Sequence, residues 1–259
     1  MSLYISQQGR FGNNLFQYFF GYILSKKLET DFYTLFNLPV PFLPNKERHT
    51  SEFNLHVTER YMPDKIQFEI KDILVDKNID LIVNEIKKHE FKNILVTGYF
   101  QDINYYLPYI QEIISLFKNS KQYLNIKKQI DPNGTGICIR KGDIVGTSYE
   151  LSDEWYLKNA EKFKNTAIYI TSDQIHHSVC QAIIKNYGAK IVDGNALQTI
   201  LAFSCFKNLV LSQGTFNWWA GILCEGNVYS MLPKSGWNSD DAFINLKTPW
   251  WNWLKIEEV

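Results

Sequence analysis

The hydrophobic pattern near the N-terminus changes period within a few residues. Leu3-Tyr4-Ile5 reads as a strand ending at Ser6, and Gln8 to Asn14 is a polar turn containing Gly9 and Gly12. Leu15, Phe16, Phe19, Phe20, Ile23, Leu24 and Leu28 then recur at helical spacing, which predicts a helix with one broad buried face. Residues 31–70 contain Pro39, Pro41, Pro44 and Pro63 and predict loops with short extended pieces. Beyond them the pattern predicts a helix over Ile79 to His89, a strand over Asn93 to Val96 and a helix over Ile103 to Phe117.

Asp131-Pro132-Asn133-Gly134 is a strong turn signal and places a boundary between a domain of residues 1–130 and one of 131–259. After it, strand and helix alternate. Strands are predicted at Gly136 to Ile139, Ala167 to Ile170, Lys190 to Val192 and Asn208 to Leu211. Helices are predicted at Asp153 to Phe163, Ile175 to Tyr187, Ala196 to Ala202 and Asn217 to Leu223. Repeated βα units imply an α/β fold with a parallel, doubly wound sheet that binds ligands beyond the carboxyl ends of its strands.

Three strand ends carry polar residues. Arg140-Lys141-Gly142-Asp143 combines two cations, a flexible glycine and a carboxylate, and arginine offers a planar fork suited to phosphate oxygens. Thr171-Ser172-Asp173-Gln174 places an acid and hydroxyls where Ser172 or Asp173 would cap a helix. Ser212-Gln213-Gly214-Thr215-Phe216-Asn217-Trp218-Trp219 is a polar turn running into a helix, where backbone N–H groups and the Thr215 hydroxyl suit an anion. The tryptophan pair itself reads as core.

Charge and composition act mainly by exclusion. The 27 basic and 27 acidic residues cancel, so no global field attracts nucleic acid or an anionic membrane, and a phosphate ligand must be met by a local cluster. An aromatic share of 15% suits carbohydrate handling, although most rings in any domain are core. Cys138, Cys180, Cys205 and Cys224 show neither CxxC spacing nor a compact framework and read as free thiols. No histidine spacing suggests a metal site, and the adjacent His176 and His177 read as a solvated helix start. Asp240 and Asp241, an adjacent acidic pair toward the C-terminus, read as a solvated loop. The opening residues lack a secretory signal and no apolar run reaches about 18 residues. The expectation is a cytoplasmic protein, with peripheral association at the cytosolic side of a membrane as an alternative.

Four segments taken together resemble the α-1,2-fucosyltransferase family and its wider fucosyltransferase relatives. They are Gly9-Arg10-Phe11-Gly12-Asn13-Asn14-Leu15-Phe16-Gln17-Tyr18, Gly98-Tyr99-Phe100-Gln101, Ile139-Arg140-Lys141-Gly142-Asp143 and Phe216-Asn217-Trp218-Trp219, in the family's order across most of the chain. The resemblance implies two Rossmann-like domains facing a central cleft, a GT-B-like fold, with the N-terminal domain on the acceptor side and the C-terminal domain holding the nucleotide sugar. It implies inverting transfer of L-fucose from GDP-fucose to a glycan hydroxyl, with no metal or other cofactor required. Arg140 would then bind the donor's β-phosphate, beside Lys141. Gly12, Asn13, Gly214, Thr215 and Phe216 would complete the donor site, and Asp173 would lie near it. Arg140, Asp143 and Glu150 are the catalytic candidates, with Asp143, Glu150 and Asp153 the carboxylates considered for a general base.

The chain also departs from that pattern. Cys138 stands where the family has histidine and Gln174 where it has a second aspartate, two positions associated in relatives with the guanine base. Lys141 replaces a second arginine, and Gln213-Gly214 stands where an Asn-Ser pair is common. A UDP-sugar is therefore the alternative donor. Two other classes compete: a dinucleotide-dependent oxidoreductase, for which Gly9 and Gly12 give only GxxG, and an inactive carbohydrate-binding protein, against which Arg140 and Asp143 are retained.

Overall fold

The computed structural model describes residues 1–43, 50, 52–61, 66–89, 92–231 and 246–254, with 253 and 254 described by backbone alone. Asp240 and Asp241, with Pro44 and Pro63, lie outside the described residues. The chain forms two compact units, the first spanning Met1–Ile113 and the second beginning at Ile114.

The first unit contains β1 (Ser2–Ile5), α1 (Phe11–Leu28), β2 (Asp31–Thr34), β3 (Leu55–Tyr61), β4 (Ile66–Ile70), β5 (Ile73–Asp76), α2 (Ile79–Lys87) and β6 (Asn93–Thr97). Its sheet has the order β2-β1-β6-β3-β4-β5, parallel from β2 to β3 and antiparallel across β3-β4 and β4-β5. Helix α1 is buried over more than the broad face its periodicity predicts, because Asn14, Gln17 and Ser25 are also buried. Such polar burial is tolerated only with hydrogen bonds. Gln17 Nε2 supplies them by donating to the carbonyls of Gln8 and Gly98, while Asn14 Nδ2 donates to Gln17 Oε1.

Residues 31–70 are more ordered than the prolines suggest. They hold β2, β3 and β4, and β3 escaped the hydrophobic pattern because its core-facing series is Leu55, Val57 and Glu59. A carboxylate at a core position hides the alternation by which a strand is recognised. The helix expected from Ile103 begins instead as two 3-10 turns, Ile103–Tyr105 and Leu107–Tyr109, followed by α3 (Ile110–Lys118). Pro108, which cannot donate a backbone hydrogen bond, sits in the second turn.

The second unit contains α4 (Lys121–Lys127), β7 (Thr135–Ile139), α5 (Asp153–Lys162), β8 (Ile168–Ser172), α6 (Ser178–Tyr187), β9 (Lys190–Ile191), α7 (Ala196–Phe203), β10 (Asn208–Leu211), α8 (Thr215–Leu223), β11 (Asn227–Met231) and β12 (Asn252–Leu254). Its sheet is parallel throughout, in the order β12-β11-β10-β7-β8-β9. All residues of β7 and β10 are buried, as central parallel strands covered on both faces must be. The chain runs from β7 outward to β9 and returns to lay β10 on the other side of β7. The order therefore reverses between β7 and β10, where an open α/β sheet splays its following loops and binds ligands.

Helix α6 starts at Ser178, later than predicted, and His177 caps it by accepting from the Val179 N–H. Ser172 ends β8 instead of capping a helix. Trp218 and Trp219 are core, with Trp218 Nε1 donating to the Leu246 carbonyl. All four cysteines are free thiols. Among the described residues, no helix is long and apolar enough to cross a membrane.

Candidate active site

Arg140 leaves the carboxyl end of β7 at the reversal point, and its guanidinium is fixed on two sides. Nη1 donates to the carbonyl of Gln213, after β10, at 3.2 Å, while Nε and Nη2 donate to the Asp143 carboxylate. The two loops of the switch point are thus joined through one cation. Gly214 makes this approach feasible: at φ 126°, ψ 156° it holds a backbone open almost only to glycine, and a Cβ there would overlap Arg140 Nη1. The Arg140 N–H donates to the Tyr156 hydroxyl at 3.3 Å, whose proton burial retains well above its usual range.

Lys141 points the other way, into the protein, with 3% of its side chain exposed. Its ammonium reaches Glu150 Oε1, Asp153 Oδ1 and the Leu151 carbonyl, each at 2.8 Å. Burial alone would lower the lysine's pKa, but hydrogen bonds to Asp153 and Glu150 leave it raised. Glu150 is held below the usual carboxylate range by Lys141 and by the Gly146 N–H. Lys141 and Glu150 thus pin the loop between β7 and α5.

Asp173 supports the same turn from β8. Its Oδ1 accepts from the Lys141 N–H at 2.8 Å and its Oδ2 from the Gly142 N–H at 3.1 Å. Cys138 is 1% exposed within β7, and burial pushes its thiol well above the ordinary value. Gln174 is exposed, its N–H donating to Ser172 Oγ. Thr215 is buried at the first residue of α8, and Phe216 is half-buried.

A sequence profile of glycosyl transferase family 11 matches residues 2–256. The chain belongs to glycosyl transferase family 11. The expected fucosyltransferase-type membership is met, and the chain is a nucleotide-sugar-dependent glycosyltransferase. No curated protein matches it in a sequence search. Among solved structures, a FUT1 variant from Arabidopsis thaliana in complex with GDP superposes with TM-score 0.52 at 10% identity, covering 91% of this chain and 71% of that one. A glycosyl transferase of family 9 from Veillonella parvula gives 0.53 at 9% identity, with 99% and 86% covered. Heptosyltransferase WaaC from E. coli, solved with ADP-2-deoxy-2-fluoro heptose, gives 0.50 at 7%, with 95% of each covered. These likenesses establish a GT-B-like α/β fold for the family 11 chain.

The other predicted donor residues belong to the first unit. Gly12 and Asn13 open α1, and Asn13 Oδ1 accepts from Gln101 Nε2 at 3.1 Å, so two of the four recognised segments meet there. Tyr156 and the Gln213 carbonyl were not legible as partners of Arg140, since one lies 16 residues away and the other is backbone. Asn217 in Phe216-Asn217-Trp218-Trp219 has a structural task, its Nδ2 donating to Ser212 Oγ at 2.6 Å and to the Ser212 carbonyl at 3.3 Å. The Glu59 carboxylate was also missed. It is buried at the end of β3, where its Oε2 accepts from the Tyr61 hydroxyl and from the Tyr99 and Phe100 N–H groups.

Proposed function

We propose that this family 11 transferase moves L-fucose from GDP-fucose to a glycan hydroxyl with inversion. The supporting observation is Arg140 fixed at the reversal point of the parallel sheet, beside the glycine turn that opens α8. In the transfer, the acceptor hydroxyl oxygen forms a bond to the sugar's anomeric carbon and releases its proton to solvent, while the bond from that carbon to the β-phosphate oxygen breaks. The diphosphate departs with the electron pair, and an oriented guanidinium meets the charge as it develops. Arg140 supplies that positive charge without a metal. In this reading residues 131–259, which make up most of the second unit, take the donor, and the chain before them binds the acceptor.

Lys141 orders the loop instead of contacting phosphate, since its ammonium is already engaged by two carboxylates and a carbonyl. Glu150 makes a poor general base for the same reason, because a carboxyl held low gives up its proton too readily to accept one well.

A UDP-sugar is the second reading, and Cys138 favours it. Guanine's N1–H and exocyclic amine call for a carboxylate or comparable acceptor, whereas Cys138 presents a buried neutral thiol and Gln174 an amide. Thermal denaturation with GDP or UDP separates the readings. A nucleotide at about 100 times its Kd stabilises by roughly 2.7 kcal/mol. Stabilisation by GDP and hydrolysis of GDP-fucose in excess chelator are expected. Stabilisation by UDP alone would transfer the assignment to a UDP-sugar, and loss of turnover restored by Mn²⁺ would refute the metal-free reading.

A further inference from the structure

The pairing of β7 with β10 stops short of the loops that follow them. Its register runs from Thr135 and Asn208 to Ile137 and Val210, and beyond that the Ser212 N–H donates to the Cys138 carbonyl at 3.2 Å. On the other side of β7 the ladder with β8 continues to Ile139 and Ser172. Arg140 and Gln213, which meet across the reversal point, therefore lie where the two strands have parted. A backbone ladder does not hold them in register there.

Tyr156 of α5 spans that gap. Its side chain is wholly buried, and its hydroxyl accepts from the Arg140 N–H at 3.3 Å and shares a hydrogen bond with the Ser212 hydroxyl. Ser212 Oγ is fixed in turn by Asn217 Nδ2, in the first turn of α8, at 2.6 Å. Of the three successive N–H groups after β7, Asp173 accepts from those of Lys141 and Gly142, and Tyr156 from that of Arg140. Both ends of Arg140 are thus referred to the loop after β10. The main chain is tied through Tyr156 to Ser212, and the guanidinium to the carbonyl of Gln213, the next residue. The ring that carries the hydroxyl is closely held, with Trp155 edge-on at 5.2 Å and Lys141 Nζ 5.8 Å from its centre.

Core filling does not require this hydroxyl. A phenylalanine would occupy the same space, and burying a hydroxyl is unfavourable unless its partners are in place. A bond to one N–H would satisfy that group alone, whereas a bridge between two loops fixes their relative position. That position matters because a guanidinium stabilises developing charge best when it need not reorganise, and a misplacement of about 1 Å can lower a rate on the order of 10²-fold.

We propose that Tyr156 is a positioning residue for the transfer, holding Arg140 and the Gln213 turn in the register that aims the guanidinium at the departing diphosphate. The role rests on the transferase reading above and deepens it. Tyr156 acts through Arg140 and, being wholly buried, does not itself meet the substrate.

Steady-state hydrolysis of GDP-fucose by the full chain tests the role, with a panel of UDP-sugars in its place if UDP alone stabilises the protein. Tyr156→Phe is expected to lower kcat about tenfold with the donor KM within about twofold of wild type, because the bridge serves an interaction that strengthens in the transition state. Ile183→Val, a change in the same hydrophobic core, should lower the melting temperature with kcat per folded molecule unchanged. The double variant Arg140→Ala, Tyr156→Phe should be no slower than Arg140→Ala, since a residue acting only through Arg140 then has nothing to position. A further loss of about tenfold in the double variant, or a Tyr156→Phe kcat equal to that of wild type, overturns the proposal and leaves the donor assignment standing. Ser212→Ala takes the place of Tyr156→Phe if that variant does not fold, with the same non-additivity expected. A wild type that turns over no donor overturns the role, and if neither GDP nor UDP stabilises it the transferase reading falls as well.

Discussion

Arg140 and Asp143 form a fork closed on itself: Nη2 lies 3.0 Å from Oδ1 and 3.1 Å from Oδ2, and Nε lies 3.2 Å from Oδ1. With Nη1 on the Gln213 carbonyl, one Nη1 hydrogen stays uncommitted among the described residues. A diphosphate at this arginine must use that hydrogen or displace Asp143. Asp143→Asn should keep an acceptor for the guanidinium while removing the competing charge. The expected result is GDP binding tighter by a few-fold, about what an exposed ion pair is worth, measured by titration calorimetry. Weaker binding would instead show that Asp143 positions the arginine for the donor.

Arg140→Ala should lower turnover on the order of 10²- to 10³-fold, the usual effect of removing a group aimed at developing charge. The melting temperature should change little. Reduced stability with normal activity per folded molecule would make Arg140 a structural ion-pair residue.

Gly214→Ala should damage the donor site through Arg140. The added methyl forces a strained backbone, costing about 1–3 kcal/mol, and overlaps Nη1. Loss of GDP-induced stabilisation together with a lowered melting temperature is expected, and an unchanged thermal shift would count against the site.

Lys141→Met should separate loop order from phosphate binding. Breaking a fully buried pair costs about 3–5 kcal/mol, and the partly exposed Glu150 and Asp153 reduce this to about 2 kcal/mol. Urea unfolding should register the loss. GDP affinity at saturating protein stability should be nearly retained; a collapse in affinity with an intact loop would return Lys141 to the phosphate.

Glu150 sets a pH dependence. Its folded pKa is depressed by Lys141 first and then by the Gly146 N–H, so the stability it contributes is complete above the unfolded value of about 4.3. That stability is lost as pH falls through the lower folded pKa. Urea midpoints measured between pH 6 and 3 should fall less steeply in Glu150→Gln than in wild type, and identical slopes would dismiss the linkage.

The sequence by itself determined the second unit's alternation of strands and helices, because its central strands are continuous apolar runs and its helices keep a helical period. It also determined the polar strand ends, and hence Arg140 as the leading candidate, since turn chemistry and charge are local. What tertiary structure decided was the partner of each charge. Arg140 and Lys141 are adjacent and alike in charge, yet one faces the reversal point and the other is enclosed by Glu150 and Asp153. Asp173, which reads locally as a cap, instead accepts N–H groups from a loop 31 and 32 residues away. Glu59 shows the limit most clearly. Its charge obscured the strand that carries it, and only the pairing of β3 with β6 brought Tyr99 and Phe100 to its carboxylate, because hydrogen-bond satisfaction in a buried site depends on neighbours that sequence distance does not reveal.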